Sequence, residues 1–254
     1  MLLHTYSWGE GPPLVAVHGV TGHGARFRKL AEERLTGFAT TAVDLRGHGH
    51  SGYEPPWSLE THVGDLIETA DALGIGRAHW LGFSLGGRIV AELAARVPDR
   101  VDRLLLLDPA LQLPPAYGLE ASEDELTIET FGSAAEAIDA RYAGGSLIST
   151  PRELLEDEMR DHLTPTLDGR LMQRYFRPAA IAAWGEMTRV PPPPAHVPTL
   201  IAVGTESQVP TAEHIERYRA ELGDRLRVER IHSGHSLLWD DFDATATVVA
   251  DFLA

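Results

Sequence analysis

The chain has 254 residues, 43% hydrophobic and 23% charged, with 37 acidic against 22 basic side chains and a net charge of −15. That composition suits an ordinary globular protein with one main core, and the acidity opposes binding to nucleic-acid backbones or anionic membrane surfaces. Cysteine is absent, which excludes disulfides, thiolate nucleophiles and zinc–thiolate centres. No stretch approaches the roughly 20 apolar residues of a membrane span, and residues 1–10 carry no export-signal pattern, so a cytoplasmic location is expected.

Leu2–Trp8 alternates loosely, as an edge strand does, and ends in the turn residues Gly9, Gly11, Pro12 and Pro13. Leu14–Val17 is a short apolar run that reads as a buried strand closed by His18-Gly19, followed by a helix over Phe27–Leu35 and a strand over Thr40–Leu45. Ser58–Leu73 opens on a capping serine, keeps Val63, Leu66, Ile67 and Ala70 at helical spacing and stops at Gly74. Ala78–Phe83 then reads as a strand, Leu85–Arg96 as a helix and Val101–Leu107 as a strongly apolar strand.

This alternation predicts an α/β fold, a mostly parallel twisted sheet with helices on both faces. From 110 to 194 it breaks. That stretch shows no strand pattern and holds helical segments that include Ser133–Arg141, Pro151–Leu163 and Pro178–Met187. After the stiff Pro191–Pro194 the alternation resumes, with strands at Thr199–Val203 and Leu226–Ile231 and helices at Thr211–Leu222 and Asp240–Leu253. The expected organisation is a core made of 1–109 and 195–254 and a helical cap, or lid, inserted as 110–194.

The sharpest chemical signal is Gly82-Phe83-Ser84-Leu85-Gly86-Gly87, set between an apolar strand and an amphipathic helix. A tight strand-to-helix turn lifts its central side chain clear of the sheet, and Gly82 and Gly86 keep neighbouring Cβ atoms out of the crowded turn. The helix that follows aims its N-terminal dipole and free N–H groups at the reacting oxygen. Serine also caps helices well, but a cap alone does not require the flanking glycines. Ser84 is the expected nucleophile.

With these residues the sequence resembles the α/β-hydrolase family over nearly the whole chain outside 110–194. Three further segments carry the likeness: His18-Gly19-Val20, where the family has its oxyanion loop; Asp44-Leu45-Arg46-Gly47-His48-Gly49-His50-Ser51, which positions neighbouring loops; and Ser233-Gly234-His235 before the last helix. The resemblance implies His235 as general base, since a serine hydroxyl needs one near neutral pH. It also implies the backbone N–H groups of Val20 and Leu85 as oxyanion donors. Most of the other histidines read as surface or loop residues, and His232 with His235 lacks the third ligand a metal needs. No cofactor or metal is implied.

The acid departs from the family's commonest pattern. Ser207 stands where that pattern has Asp, and serine cannot stabilise an imidazolium as a carboxylate does. Two carboxylates remain open. Asp108 ends the strand Val101–Leu107, where some family members such as the haloalkane dehalogenases carry their acid; Glu206 lies one residue early with a longer side chain. Asp108 is preferred, although an Asp-Pro pair at this place also occurs without a catalytic role.

The expected activity is hydrolysis of carboxylic esters of small or apolar substrates through an acyl-enzyme. The segment 110–194 supplies Leu111, Leu113, Tyr117, Phe131, Tyr142, Tyr175, Phe176, Trp184 and Met187; some pack it onto the body and a few would face the cleft as an apolar pocket, and the sequence does not say which. The same residues could instead open lactones, cleave thioesters or C–C bonds, or act as a lyase of the menaquinone-pathway type, to which Gly86-Gly87-Arg88 bears a slight likeness. A ligand-binding protein without catalysis is the alternative from a different class. The partner expected is a small-molecule ester; oligomeric state is not legible.

Overall fold

The computed structural model describes residues 1–145 and 147–254. In chain order the strands are β1 (Thr5–Trp8), β2 (Pro13–Val17), β3 (Ala39–Val43), β4 (Ala78–Phe83), β5 (Val101–Leu107), β6 (Leu163–Pro165), β7 (Leu171–Gln173), β8 (Thr199–Gly204) and β9 (Leu226–Ile231). The helices are α1 (Arg28–Arg34), α2 (Leu59–Ala72), α3 (Leu85–Arg96), α4 (Pro115–Asp124), α5 (Ala134–Ala143), α6 (Arg152–His162), α7 (Arg177–Glu186), α8 (Ala212–Leu222), α9 (Leu237–Asp240) and α10 (Phe242–Leu253).

A seven-stranded sheet runs in the order β1-β3-β2-β4-β5-β8-β9. Only β1 is antiparallel to its neighbour. The central strands are apolar and buried over most of their length because both faces are covered, with polar His79, Asp102 and Arg103 confined to the first residues of β4 and β5. Leu104 and Leu106 of β5 pack into one layer with α2, α3 and α8, while Leu105 and Leu107 point into the other with α1 and α10. β3 and β4 lie on opposite sides of β2, so the chain reverses its direction of travel across the sheet there. A crevice opens at such a point beyond the carboxyl ends of the strands.

The helix starts follow from their caps. Ser58, Ser133 and Thr211 accept hydrogen bonds from the N–H groups of Thr61, Glu136 and His214, the third residue on in each case, as capping side chains do. At the C-terminus the helix expected over Asp240–Leu253 divides. Asp241 caps α10 by accepting from the Ala244 N–H, and α9 forms a short separate turn.

The stretch between β5 and β8 is not wholly helical, contrary to expectation. β6 and β7 pair as an antiparallel ribbon across a turn at 166–170, with Gly169 at φ 80°. An Asp168-Gly169 pair between apolar residues is a hairpin signal; three-residue strands were too short to register as a period.

Arg88 ties both roots of this segment to α3. The side chain is fully buried. Its guanidinium donates to the carbonyl of Leu111, to those of Arg189 at 2.8 Å and Val190 at 3.2 Å, and to Glu92 at 2.9 Å. The arginine after the two glycines is therefore a clamp in the scaffold, and it does not line the cavity at Ser84. Among the described residues no helix is long and apolar enough to cross a membrane.

Removing one partner of a buried charged network leaves the rest uncompensated. Arg88→Ala is expected to lower the unfolding free energy by about 3–5 kcal/mol, read from urea denaturation. A loss below about 1 kcal/mol, the range of an exposed pair, would show that the clamp carries no load.

Candidate active site

Ser84 follows β4 directly and sits at φ 54° and ψ −116°, a conformation non-glycine residues rarely hold. The approach of other backbone to this turn explains the glycines on either side. A Cβ on Gly82 would lie 2.3 Å from the Gly86 carbonyl oxygen, and one on Gly86 would lie 2.1 Å from that of Val17. Ser84 makes no side-chain capping bond to α3. Its Oγ is instead 2.9 Å from His235 Nε2.

His235 lies on the short loop between β9 and α9, with its ring 4.9 Å from that of Phe83. Its Nδ1 is 2.5 Å from Asp108 Oδ2. Asp108 ends β5 at φ 42° and is fully buried. Two further donors hold its carboxylate: the Gly204 N–H reaches Oδ1 at 2.9 Å and the Ser207 hydroxyl reaches Oδ2 at 2.5 Å. Glu206 does not join this group. It is exposed, and the hydrogen bond its carboxylate accepts comes from Thr205.

The loop after β2 runs against the nucleophile, where a Cβ on Gly19 would meet the Ser84 Cβ at 3.0 Å. Val20 lines the same cavity as Ser84 and His235. Leu85 is the first residue of α3, so its N–H lacks an acceptor within the helix. Among the described residues neither the Val20 nor the Leu85 N–H has a protein acceptor. His18 orients this loop: its Nε2 accepts the Leu45 N–H at 2.9 Å, which leaves the proton on Nδ1 to donate to the Gly19 carbonyl at 2.7 Å. Burial holds its pKa well below the usual histidine value, helped by neighbouring His48, so the ring stays neutral and keeps that tautomer. Asp44 secures the adjoining loops by accepting the N–H groups of Gly24 at 2.7 Å and His50 at 2.8 Å.

The non-glycine residues with positive φ among the described residues are Thr21, Ser84 and Asp108. All three stand around one cavity or hold its groups, which is where backbone strain concentrates in functional sites. That cavity measures about 170 Å³ and is walled by Leu113, Tyr117, Trp184 and Val209. Tyr175 and Met187 are instead buried away from it, Tyr175 donating to Glu125 at 2.8 Å. The wall is not wholly apolar as expected, because Arg26 and Arg141 also face the cavity. No sequence pattern marks these two arginines. Nor did any pattern mark Asp240, whose carboxylate accepts the Gly234 N–H beside His235 at 2.8 Å and the Thr150 hydroxyl at 2.6 Å.

The histidines also depart from expectation. His18, His23, His48, His62 and His162 are all buried. His23 and His162 stack with ring centroids 4.8 Å apart, and none of their ring nitrogens has a hydrogen-bond partner. Burial lowers the pKa values of His23 and His62 to about 3 and that of His48 to about 4, and it puts His162 well below the usual value. His23 Nε2 lies 4.0 Å from Glu158, but a neutral ring makes no ion pair.

A family model described as alpha/beta hydrolase fold matches residues 12–242. The chain belongs to the α/β-hydrolase family. A lipase of Mycobacterium tuberculosis, Lipase LipV, is 34% identical over 203 residues, covering 78% of this chain and 77% of the lipase. A pimeloyl-[acyl-carrier protein] methyl ester esterase of Vibrio vulnificus is 30% identical over 206 residues, covering 69% of this chain and 79% of the esterase. Among solved structures, an E-2-(acetamidomethylene)succinate hydrolase superposes with a TM-score of 0.84 at 24% identity, covering 99% of this chain and 94% of that one.

The buried histidines make stability depend on pH. Unfolded histidines take up protons below about 6.5, whereas folded His23 and His62 resist protonation until about 3 and His48 until about 4. Their contribution is therefore complete above pH 6.5 and drains away as the pH falls toward 4, by about 1.4 kcal/mol per pH unit for each histidine. Urea unfolding at pH 7.5 and 5.5 should show a loss of several kcal/mol, and His162→Phe should flatten the slope by about one proton. Equal stability at both pH values would count against neutral buried rings.

Proposed function

We propose that this chain is a serine hydrolase of carboxylic esters, with Ser84 as nucleophile, His235 as base and Asp108 as the acid behind it. The observation that carries the reading is the chain of hydrogen bonds from Ser84 Oγ to His235 to Asp108, 2.9 Å and 2.5 Å long, on a serine held at positive φ. The names of the lipase and the methyl ester esterase among its relatives support an ester as the bond cleaved.

In this mechanism His235 Nε2 takes the Ser84 proton as Oγ attacks the ester carbonyl. The oxygen that becomes negative is received by the Val20 and Leu85 N–H groups, which are fixed in place before the reaction. His235 then gives its proton to the departing alkoxide, leaving an acyl-serine. Water repeats the sequence: His235 removes its proton, the acid is released, and Ser84 regains its hydrogen. Asp108 holds the Nδ1 proton and stabilises the imidazolium in both halves. Residues 110–194 act as the cap that walls the cavity.

Ser84→Ala is expected to lower kcat by on the order of 10⁴–10⁶ on a chromogenic ester, and His235→Ala by a similar factor, with little further loss in the double variant. Near-wild-type turnover in Ser84→Ala would end this mechanism.

The acid is tested separately. Asp108→Asn should reduce kcat by about 10⁴ in a protein that still folds. Glu206→Gln should change it less than about threefold, as expected of an exposed residue outside the site. The reverse ranking would move the acid to Glu206 and leave the Ser84–His235 pair intact.

A further inference from the structure

The cavity at Ser84 is lined by two arginines, Arg26 and Arg141, and by no carboxylate among the described residues. Arg26, on the loop after β2, has a side chain only 5% exposed and donates to Glu158 Oε1 at 2.7 Å. Its Nε is buried with no hydrogen-bond partner. Arg141, near the end of α5, makes neither a hydrogen bond nor a salt bridge within the described residues. Both guanidinium carbons lie over the Trp239 ring, at 4.3 Å for Arg26 and 5.7 Å for Arg141. Both side chains line the cavity that also contains Ser84 and His235.

A cation withdrawn from water is costly unless an anion or acceptor meets it, and stacking on an indole returns only part of that cost. Burial pulls the Arg141 pKa below its ordinary value, with the charge of Arg26 acting in the same direction and Glu158 against it. The group stays charged near neutral pH regardless. In a chain whose net charge is −15, acidic side chains abound, yet none is placed on Arg141 among the described residues. Arg141 borders both this cavity and a second, more open one lined by Asp124, Glu125 and Glu129, and no carboxylate pairs with it directly among the described residues.

We infer that Arg141, with the free Nε edge of Arg26, forms a carboxylate subsite, so that the preferred substrate joins its reacting ester to a free carboxylate. A guanidinium presents its donors as a planar fork that matches a carboxylate in two parallel hydrogen bonds. The ester would lie at Ser84 while the carboxylate pairs with Arg141, and Tyr117, Leu113 and Trp184 cover the chain between them. This rests on the hydrolase reading and narrows it from esters in general to half-esters of small dicarboxylic acids.

The test measures methanol release from monomethyl glutarate and from its uncharged isostere, methyl 5-amino-5-oxopentanoate. The wild type should favour the charged ester by about tenfold or more in kcat/KM, as expected when a buried charge is left unpaired by the neutral analogue. In Arg141→Gln that ratio should fall toward one. Glutarate should inhibit hydrolysis of the neutral ester competitively, more strongly than glutaramide and less so as salt rises; this arm needs only the wild type and stands even if the variant fails to fold. Turnover of both esters with no preference for the charged one, together with equal inhibition by glutarate and glutaramide, would overturn the subsite and leave the hydrolase reading intact. Failure of the wild type to cleave either ester would overturn both.

Discussion

Everything at the site depends on a backbone that cannot relax: Ser84 at φ 54° between β4 and α3. A turn this tight brings the carbonyl of Gly86 within 2.3 Å of where a Cβ on Gly82 would stand. The strain is held by bonds on both sides of the residue. The Ser84 N–H donates to Leu107 O at 3.1 Å, and its carbonyl accepts the N–H groups of Arg88 and Ala110, each at 3.1 Å. Leu107 and Ala110 flank Asp108, so the bonds that fix Ser84 also fix the carboxylate after the next strand. The spacing between Ser84 and Asp108 is thus a property of the β4–β5 pairing.

The segment between β5 and β8 is coupled to that frame by buried charge as well as by apolar packing, since Leu111, Leu113, Ala183 and Met187 join the main core. Its own apolar cluster is small, with Phe131, Ile138, Leu155 and Met159 gathered on Trp239. Arg88 holds its two roots against the helix behind Ser84, and Asp240 holds residues 148–150 against the loop that carries His235. Glu158 reaches across to Arg26. Each contact joins the segment to an element that also positions a reacting group. Movement of the segment would therefore change the cavity wall and strain the His235 loop together. Charged contacts suit this arrangement because their geometry is directional, whereas apolar packing tolerates sliding.

What was legible in the sequence was what is local. The strands β4, β5 and β9 and the helix α3 follow the residue pattern because apolar runs and helical spacing report burial directly, and the Gly82–Gly86 turn is a five-residue constraint. Illegible features are those that depend on which distant residues meet. The burial of five histidines was not legible, because nothing near them in sequence announces that His162 of α6 will stack on His23. Arg141 sits on a helix whose sequence carries no distinguishing pattern, and only the placement of α5 brings it to the wall of the cavity. The β6–β7 ribbon had a local signal in Asp168-Gly169, but its strands were shorter than the window over which alternation becomes visible.

The acid shows how a site can keep its geometry while its residues change places. Ser207 occupies the position after β8 where the family's common pattern has a carboxylate, and Asp108 comes from β5, the neighbouring strand. The two side chains meet, since the Ser207 hydroxyl donates to the same Asp108 oxygen that faces His235. The backbone joins them as well: the Asp108 N–H donates to Ala202 O at 2.7 Å, and the Gly204 N–H returns to Asp108 Oδ1 at 2.9 Å. A carboxylate reaching this point from β5 therefore meets donors supplied by β8 and the turn after it, which are the elements that carry the acid in the commoner arrangement. The imidazole senses where the negative charge lies and how its oxygens are held, and neither depends on which strand the side chain leaves. Under the proposed mechanism Ser207 serves as donor to the acid in place of being the acid, and a position that looked like a missing residue is part of what holds Asp108 in place.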